Sequence, residues 1–200
     1  KDLGCNAVRT SHSPQSPAFL DACDELGLLV FTEMPGWRYI GDESWKAQAL
    51  QNCREMVCQC RNHPSIFLWG VRVSGSADDE SFYKRTNETV RRLDPTRPTA
   101  GTRSTRRSQL LEDVYAYTDY SYHGRGVGCE ARTAVTPDTR KGYLISEFEG
   151  AQFPASPIVS TGSAAAFPRR RLGVASVGRL LFTNSMARSI YASLPLPFGS

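Results

Sequence analysis

An α/β fold on a parallel sheet is what this chain predicts, and three observations carry it. Short apolar runs alternate with amphipathic segments through residues 1–150. Runs such as Leu28-Leu29-Val30-Phe31 and Ile66-Phe67-Leu68-Trp69 are almost continuous in apolar residues, as strands covered on both faces are. The segments between them repeat apolar residues at helical spacing. Strand–helix alternation at this spacing gives a doubly wound sheet or a closed barrel.

The elements follow in order. Cys5 to Thr10 is a short strand. Ser16 is then an N-cap, Pro17 suits the first helical position, and Gly27 follows the helix end. Phe19, Leu20, Cys23 and Leu26 make that helix's stripe. Leu28 to Glu33 is the second strand. A helix over about 43–61 presents Trp45, Ala49, Cys53, Met56, Val57 and Cys60, and Pro64 ends it by disfavouring helix at His63. Ile66 to Trp69 is the third strand. Asp78 and Asp79 place negative charge at the start of the next helix, whose inner face is Phe82, Thr86, Val90 and Leu93. Weaker strands lie near 98–102, 113–118 and 142–147, with a poorly defined helix before the last. Beyond Ser156 the composition turns to Ser, Ala, Pro and Arg, a profile compatible with disorder. The expected division is 1–155 and a divergent tail, 156–200.

Composition excludes some classes of function. Forty per cent hydrophobic and 22% charged residues is an ordinary globular profile. No apolar run approaches the ~18–20 residues of a membrane span, and nothing resembles a signal peptide. Compartment stays open with the cytoplasm slightly favoured, and oligomeric state is open. The net charge of +4 is spread over short clusters such as Arg103-Arg106-Arg107, which read as solvated surface, so no nucleic-acid partner is expected. The six cysteines contain no CxxC pair. Cys53 and Cys60 fall on an apolar stripe as small hydrophobes, and Cys58 falls off it.

Chemistry concentrates in two places. Leu144-Ile145-Ser146-Glu147-Phe148 puts a carboxylate at a strand end, and Trp69-Gly70-Val71-Arg72-Val73-Ser74-Gly75-Ser76 leads out of another strand. Around them, in order, stand Asn6-Ala7-Val8-Arg9-Thr10-Ser11-His12, Cys23-Asp24-Glu25-Leu26-Gly27-Leu28-Leu29-Val30, Glu33-Met34-Pro35-Gly36-Trp37, Arg61-Asn62-His63-Pro64-Ser65 and Asp94-Pro95-Thr96-Arg97-Pro98-Thr99. This ordered series resembles the catalytic barrel of family 2 glycoside hydrolases, most of all the bacterial β-galactosidase branch. The resemblance implies an incomplete (β/α)8 TIM barrel, running from about strand 2 to strand 7. Its open edges would make an isolated fragment poorly stable.

Such enzymes use two carboxyl groups about 5–5.5 Å apart. The resemblance implies Glu147 as the nucleophile; a surface salt bridge is the plain alternative for a strand-end glutamate. It places the acid/base at Gly75, which has no titratable group, and Ser74 where the family has an asparagine. Asp78, Asp79 and Glu149 are the carboxylates close enough in sequence to substitute. Arg9 and His12 match residues near the sugar pocket, although Arg9 pairing with Glu33 or Glu147 is an equal reading. Trp37 and Trp69 are candidates for an aromatic floor, with core packing the alternative for Trp69. Tyr117, Asp119 and His123 lie where a tyrosine contacts the nucleophile, and Tyr117 is taken as the candidate. The magnesium-binding pattern seen in some relatives does not follow Glu33, so no metal or other cofactor is expected. The implied function is retaining hydrolysis of β-linked sugars, with a β-galactoside as partner and activity impaired at Gly75. The alternatives are a non-catalytic carbohydrate-binding protein on the same scaffold, or a decayed or mis-framed gene segment.

Overall fold

The computed structural model describes residues 5–121 and 129–148, with the backbone of 173–175 and 179–181. Six strands run parallel and pair in chain order: β1 (Cys5–Thr10), β2 (Leu29–Glu33), β3 (Ile66–Gly70), β4 (Thr99–Arg103), β5 (Val114–Asp119) and β6 (Gly142–Phe148). Four helices connect them: α1 (Pro17–Leu26), α2 (Glu43–Cys60), α3 (Glu80–Leu93) and the single turn α4 (Arg132–Val135). This is the curled sheet of a partial TIM barrel. Two short strands, β7 (Gly173–Ala175) and β8 (Arg179–Leu181), bring the ring round: β7 pairs parallel with β1 and β8 antiparallel with β6. The open edges expected from sequence are thus paired. The rest of the 156–200 tail lies outside the described residues.

Local chemistry sets the helix starts. Ser16 accepts a hydrogen bond from Phe19 N at 3.3 Å, Asp42 from Trp45 N at 2.9 Å and Asp79 from Phe82 N at 3.0 Å. Each supplies one of the acceptors that a helix's first turn lacks. The helical stripes then bury. Cys53, Met56, Val57 and Cys60 of α2 and Phe82 and Val90 of α3 pack over Val30, Ile66 and Trp69, while Cys58 is exposed. Trp69 is core and no sugar floor: it is fully buried and its Nε1 donates to Asp94 Oδ2 at 2.9 Å. Asp94 also accepts from Thr96 N and from Arg97, whose Nε donates to Ile66 O at 2.7 Å, tying the end of α3 to β3.

The β4–β5 crossover has no helix. Arg103 and Glu112, both buried, pair beneath it, and Arg103 also bonds the Gln109 carbonyl. A buried charged pair here does what an apolar helix face does elsewhere. The Arg103-Arg106-Arg107 cluster therefore divides, since Arg106 bonds Glu130 with Nε at 2.7 Å. Among the described residues no helix is long and apolar enough to cross a membrane.

Candidate active site

The C-terminal ends of the strands converge on Arg9. Its NH2 stands 2.7 Å from Glu33 Oε1, donates to Ser74 Oγ at 3.1 Å and lies 3.3 Å from His12 Nδ1; its NH1 stands 3.5 Å from Glu147 Oε2. Arg9 therefore pairs with both Glu33 and Glu147, the carboxylates named as its alternative partners from sequence. Glu33 reaches it because β3 gives way. A Cβ on Gly70 would fall 2.2 Å from Glu33 Cβ, so only glycine admits this side chain. Arg9 and Glu33 are almost wholly withdrawn from solvent.

Glu147 stays 22% exposed. Thr118 Oγ1, on the neighbouring strand, donates to its Oε2 at 3.2 Å. The Tyr120 phenol lies close enough to Glu147 to feel its charge. Burial and the Glu147 charge push the Tyr120 pKa up to about 12. Tyr120 was not among the residues read from sequence. Tyr117 points the other way, because successive side chains on a strand alternate: its hydroxyl donates to Glu130 Oε2 at 3.4 Å. Asp119 likewise serves the backbone, accepting from Ser121 N and Glu130 N. His123 and Glu149 lie outside the described residues. The available signal for Tyr120 was its place as the first residue past a strand end, where barrel enzymes collect their functional groups.

Ser74 and Gly75 sit across the mouth. Ser74 O accepts from Arg38 N at 2.8 Å and Gly75 N donates to Thr102 O at 3.1 Å, so the loop is stitched on both sides. Gly75 has φ +67°, in the left-handed region, and a Cβ there would lie 3.0 Å from Ser104 Oγ and 3.5 Å from Arg38 Cγ. Neither nearby carboxylate fills this position. Asp78 takes Arg72 at 2.6 Å, Ser108 Oγ at 2.5 Å and Gln109 N at 2.9 Å. Asp79 caps α3 and pairs with Lys46 at 2.7 Å.

An aromatic surface completes the mouth. Trp37, 59% exposed, stacks on the His12 ring with centroids 6.2 Å apart, and the Arg38 guanidinium lies 4.7 Å from the Trp37 ring. Away from the mouth, His63 Nδ1 is 2.7 Å from Asp24 and 3.7 Å from Asp21. Their ligand atoms lie within 4.8 Å of one another, but Asp24 is committed to Ser65 N at 2.8 Å and to His63, joining α1 to β3. At the mouth, the guanidinium of Arg9 against Glu33 opposes a second cation there.

A parallel barrel with its ionisable groups gathered at the C-terminal strand ends defines the catalytic-barrel class of enzyme domain. The chain belongs to the family 2 glycosyl hydrolases, whose TIM barrel domain matches residues 1–161. It is 49% identical over 153 residues to a β-galactosidase of Thermoanaerobacter pseudethanolicus, covering 76% of this chain and 20% of that protein. It is 37% identical over 184 residues to a β-galactosidase of Rhizobium meliloti, covering 86% and 24%. A crystal structure of a β-galacturonidase of the same family from Eisenbergiella tayi, bound to galacturonate, aligns with TM-score 0.60 at 29% identity, over 77% of this chain and 32% of that one. The chain spans about a fifth to a quarter of the length of these curated relatives.

Proposed function

We propose that the chain is the catalytic-barrel segment of a retaining β-glycosidase acting on β-galactosides, with Glu147 as nucleophile and the acid/base function lost at Gly75. The observation that supports this reading is the double hold on Glu147 at the mouth by Arg9 and Thr118, with its carboxylate still reachable from solvent. A salt-bridge glutamate has no need of that setting. Held this way, one carboxylate oxygen attacks the anomeric carbon as the glycosidic bond breaks, forming the covalent sugar ester, which water then opens. His12 and Trp37 line the approach, and Ser74 offers a hydroxyl to the sugar. The β-galactoside assignment follows the relatives named β-galactosidase.

General acid–base help is worth about 10²–10⁴-fold, so the unaided chain is slow on glycosides with poor leaving groups. Intact-protein mass after incubation with a 2-deoxy-2-fluorogalactoside tests the assignment. One fluorosugar added at Glu147 is the expected result. A folded protein that binds galactose yet gains no adduct overturns it.

A second reading takes the Ser74-Gly75 pair as its ground: a carbohydrate-binding protein without turnover. It predicts galactoside affinity unchanged in Glu147→Gln and no adduct in the parent protein.

A further inference from the structure

We infer that the Gly75 position is a docking site for a carboxylate that the described residues do not supply, held by Arg38 and the Ser104 hydroxyl. This carboxylate carries the proton in the reaction proposed above, and the inference rests on that proposal. Three observations lead to it.

The first is a charge left over. Two arginines border the mouth. Arg9 is matched by Glu33 and Glu147. Arg38 is exposed, and among the described residues no carboxylate lies at ion-pair distance from it. The second is that Arg38 is held in place. Its backbone N–H donates to Ser74 O, its φ of 60° is one few side chains adopt, and its guanidinium rests over Trp37. The third is adjacency. The missing side chain of residue 75 would begin 3.5 Å from Arg38 Cγ and 3.0 Å from Ser104 Oγ. A cation and a hydroxyl therefore border the position that lacks a carboxylate, the donor set that binds one.

The proton balance is simple. In the first half-reaction a carboxylic acid gives its proton to the glycosidic oxygen while that C–O bond breaks and Glu147 bonds to the anomeric carbon. The carboxylate left behind stays against Arg38. In the second, it takes a proton from water as the water oxygen bonds to the anomeric carbon and the Glu147 ester breaks. The acid is regenerated, and the sum is one glycoside and one water to sugar and alcohol. The carboxylate can be a free small acid or a group borne by the leaving alcohol.

The test measures kcat/KM of the full-length protein on a neutral aryl β-galactoside with a poor leaving group, with acetate or formate replacing chloride at fixed ionic strength. A parallel arm uses a 2-carboxyphenyl β-galactoside without acetate. A saturable rise of about tenfold or more with acetate, lost in Arg38→Gln and partly regained in Arg38→Lys, supports the free acid. Rapid turnover of the carboxyphenyl substrate with the same Arg38 dependence, and no acetate effect, supports the substrate-borne group. If the fluorosugar labels Glu147 but neither carboxylate accelerates turnover, or Arg38→Gln leaves the acceleration intact, the docking site is overturned and the nucleophile stands. If nothing is labelled in the folded protein, both fall.

Discussion

Arg9 and Glu147, on the first and sixth strands of the parallel run, face each other with 3.5 Å between NH1 and Oε2. The same guanidinium closes on buried Glu33 at 2.7 Å and on Ser74 at 3.1 Å. The two halves of the mouth are therefore joined through one cation.

Arg9→Met should unfold the protein more easily by about 3–5 kcal/mol, because it strands the buried Glu33 charge. Adding Glu33→Gln should return part of that loss. Urea unfolding of both variants checks this; equal stability of the single and double variants would remove Glu33 as the charge that Arg9 neutralises.

Tyr120 should stay protonated until about pH 12. Burial is the larger cause and the Glu147 charge the next, so Glu147→Gln should lower the phenol's midpoint in a spectrophotometric titration. Tyr120→Phe removes a hydroxyl that, in the reaction proposed above, donates to the Glu147 carboxylate at the strength of a hydrogen bond to a charged group, about 1.5–3 kcal/mol. Fluorosugar labelling should slow accordingly, by roughly tenfold to a hundredfold. Tyr117→Phe should leave the labelling rate where it was.

Azide needs no general base. With an activated aryl galactoside it should speed release of the sugar from Glu147 and yield the β-galactosyl azide, seen by mass and NMR. A folded protein that forms the ester but is indifferent to azide would mean that deglycosylation is limited by something other than the missing base.

Gly75→Glu alone should restore little activity. Its φ of +67° disfavours a side chain and Ser104 Oγ stands 3.0 Å from the new Cβ. Gly75→Glu with Ser104→Gly relieves the second obstacle. The pair should raise kcat/KM on poor leaving groups at least about tenfold over the parent. No gain in a folded double variant argues that the proton donor does not belong at residue 75.

How far the sequence foretold this arrangement depended on the physics involved. Apolar periodicity located β1 to β3 and α1 to α3 to within a residue or two, because burial of Val30, Ile66 or Val57 is written in the side chain itself. Ser16 and Pro17 marked a helix start for the same local reason. The helix-free β4–β5 crossover was invisible, since its support is a long-range pair, Arg103 with Glu112. Glu147, Arg9 and the Ser74-Gly75 pair were legible as motifs. Tyr120 was not: a row of tyrosines and an aspartate from Tyr115 to Tyr120 does not say where the strand ends, and one residue of register decides which ring meets Glu147. The competing fates of Trp69 were decided only by Asp94, a residue far along the chain.

Asp94 gives an acid-stability prediction. Burial works to raise its pKa, but bonds from Thr96, Arg97 and Trp69 outweigh it and hold the carboxyl below its ordinary value. Its contribution is therefore complete above about pH 4, near the unfolded value, and is lost as pH falls through the folded one. Asp94→Asn should lower stability at pH 7 by about 1–3 kcal/mol and flatten the acid limb of a thermal-melt profile. An unchanged acid limb would shift that role to another carboxylate.

The third strand thus has a foundation and a working end. At its foot, Arg97 holds the Ile66 carbonyl and, through Asp94, is joined to Thr96 and the Trp69 indole, without reference to any substrate. Beyond its head, Ser74 and Gly75, where the proposal puts the lost acid/base, keep their backbone bonds to Arg38 and Thr102. On that proposal, what has been given up at this head is a reagent and not a support. The empty socket is thereby a place where new chemistry can be fitted at little risk to the frame that holds it.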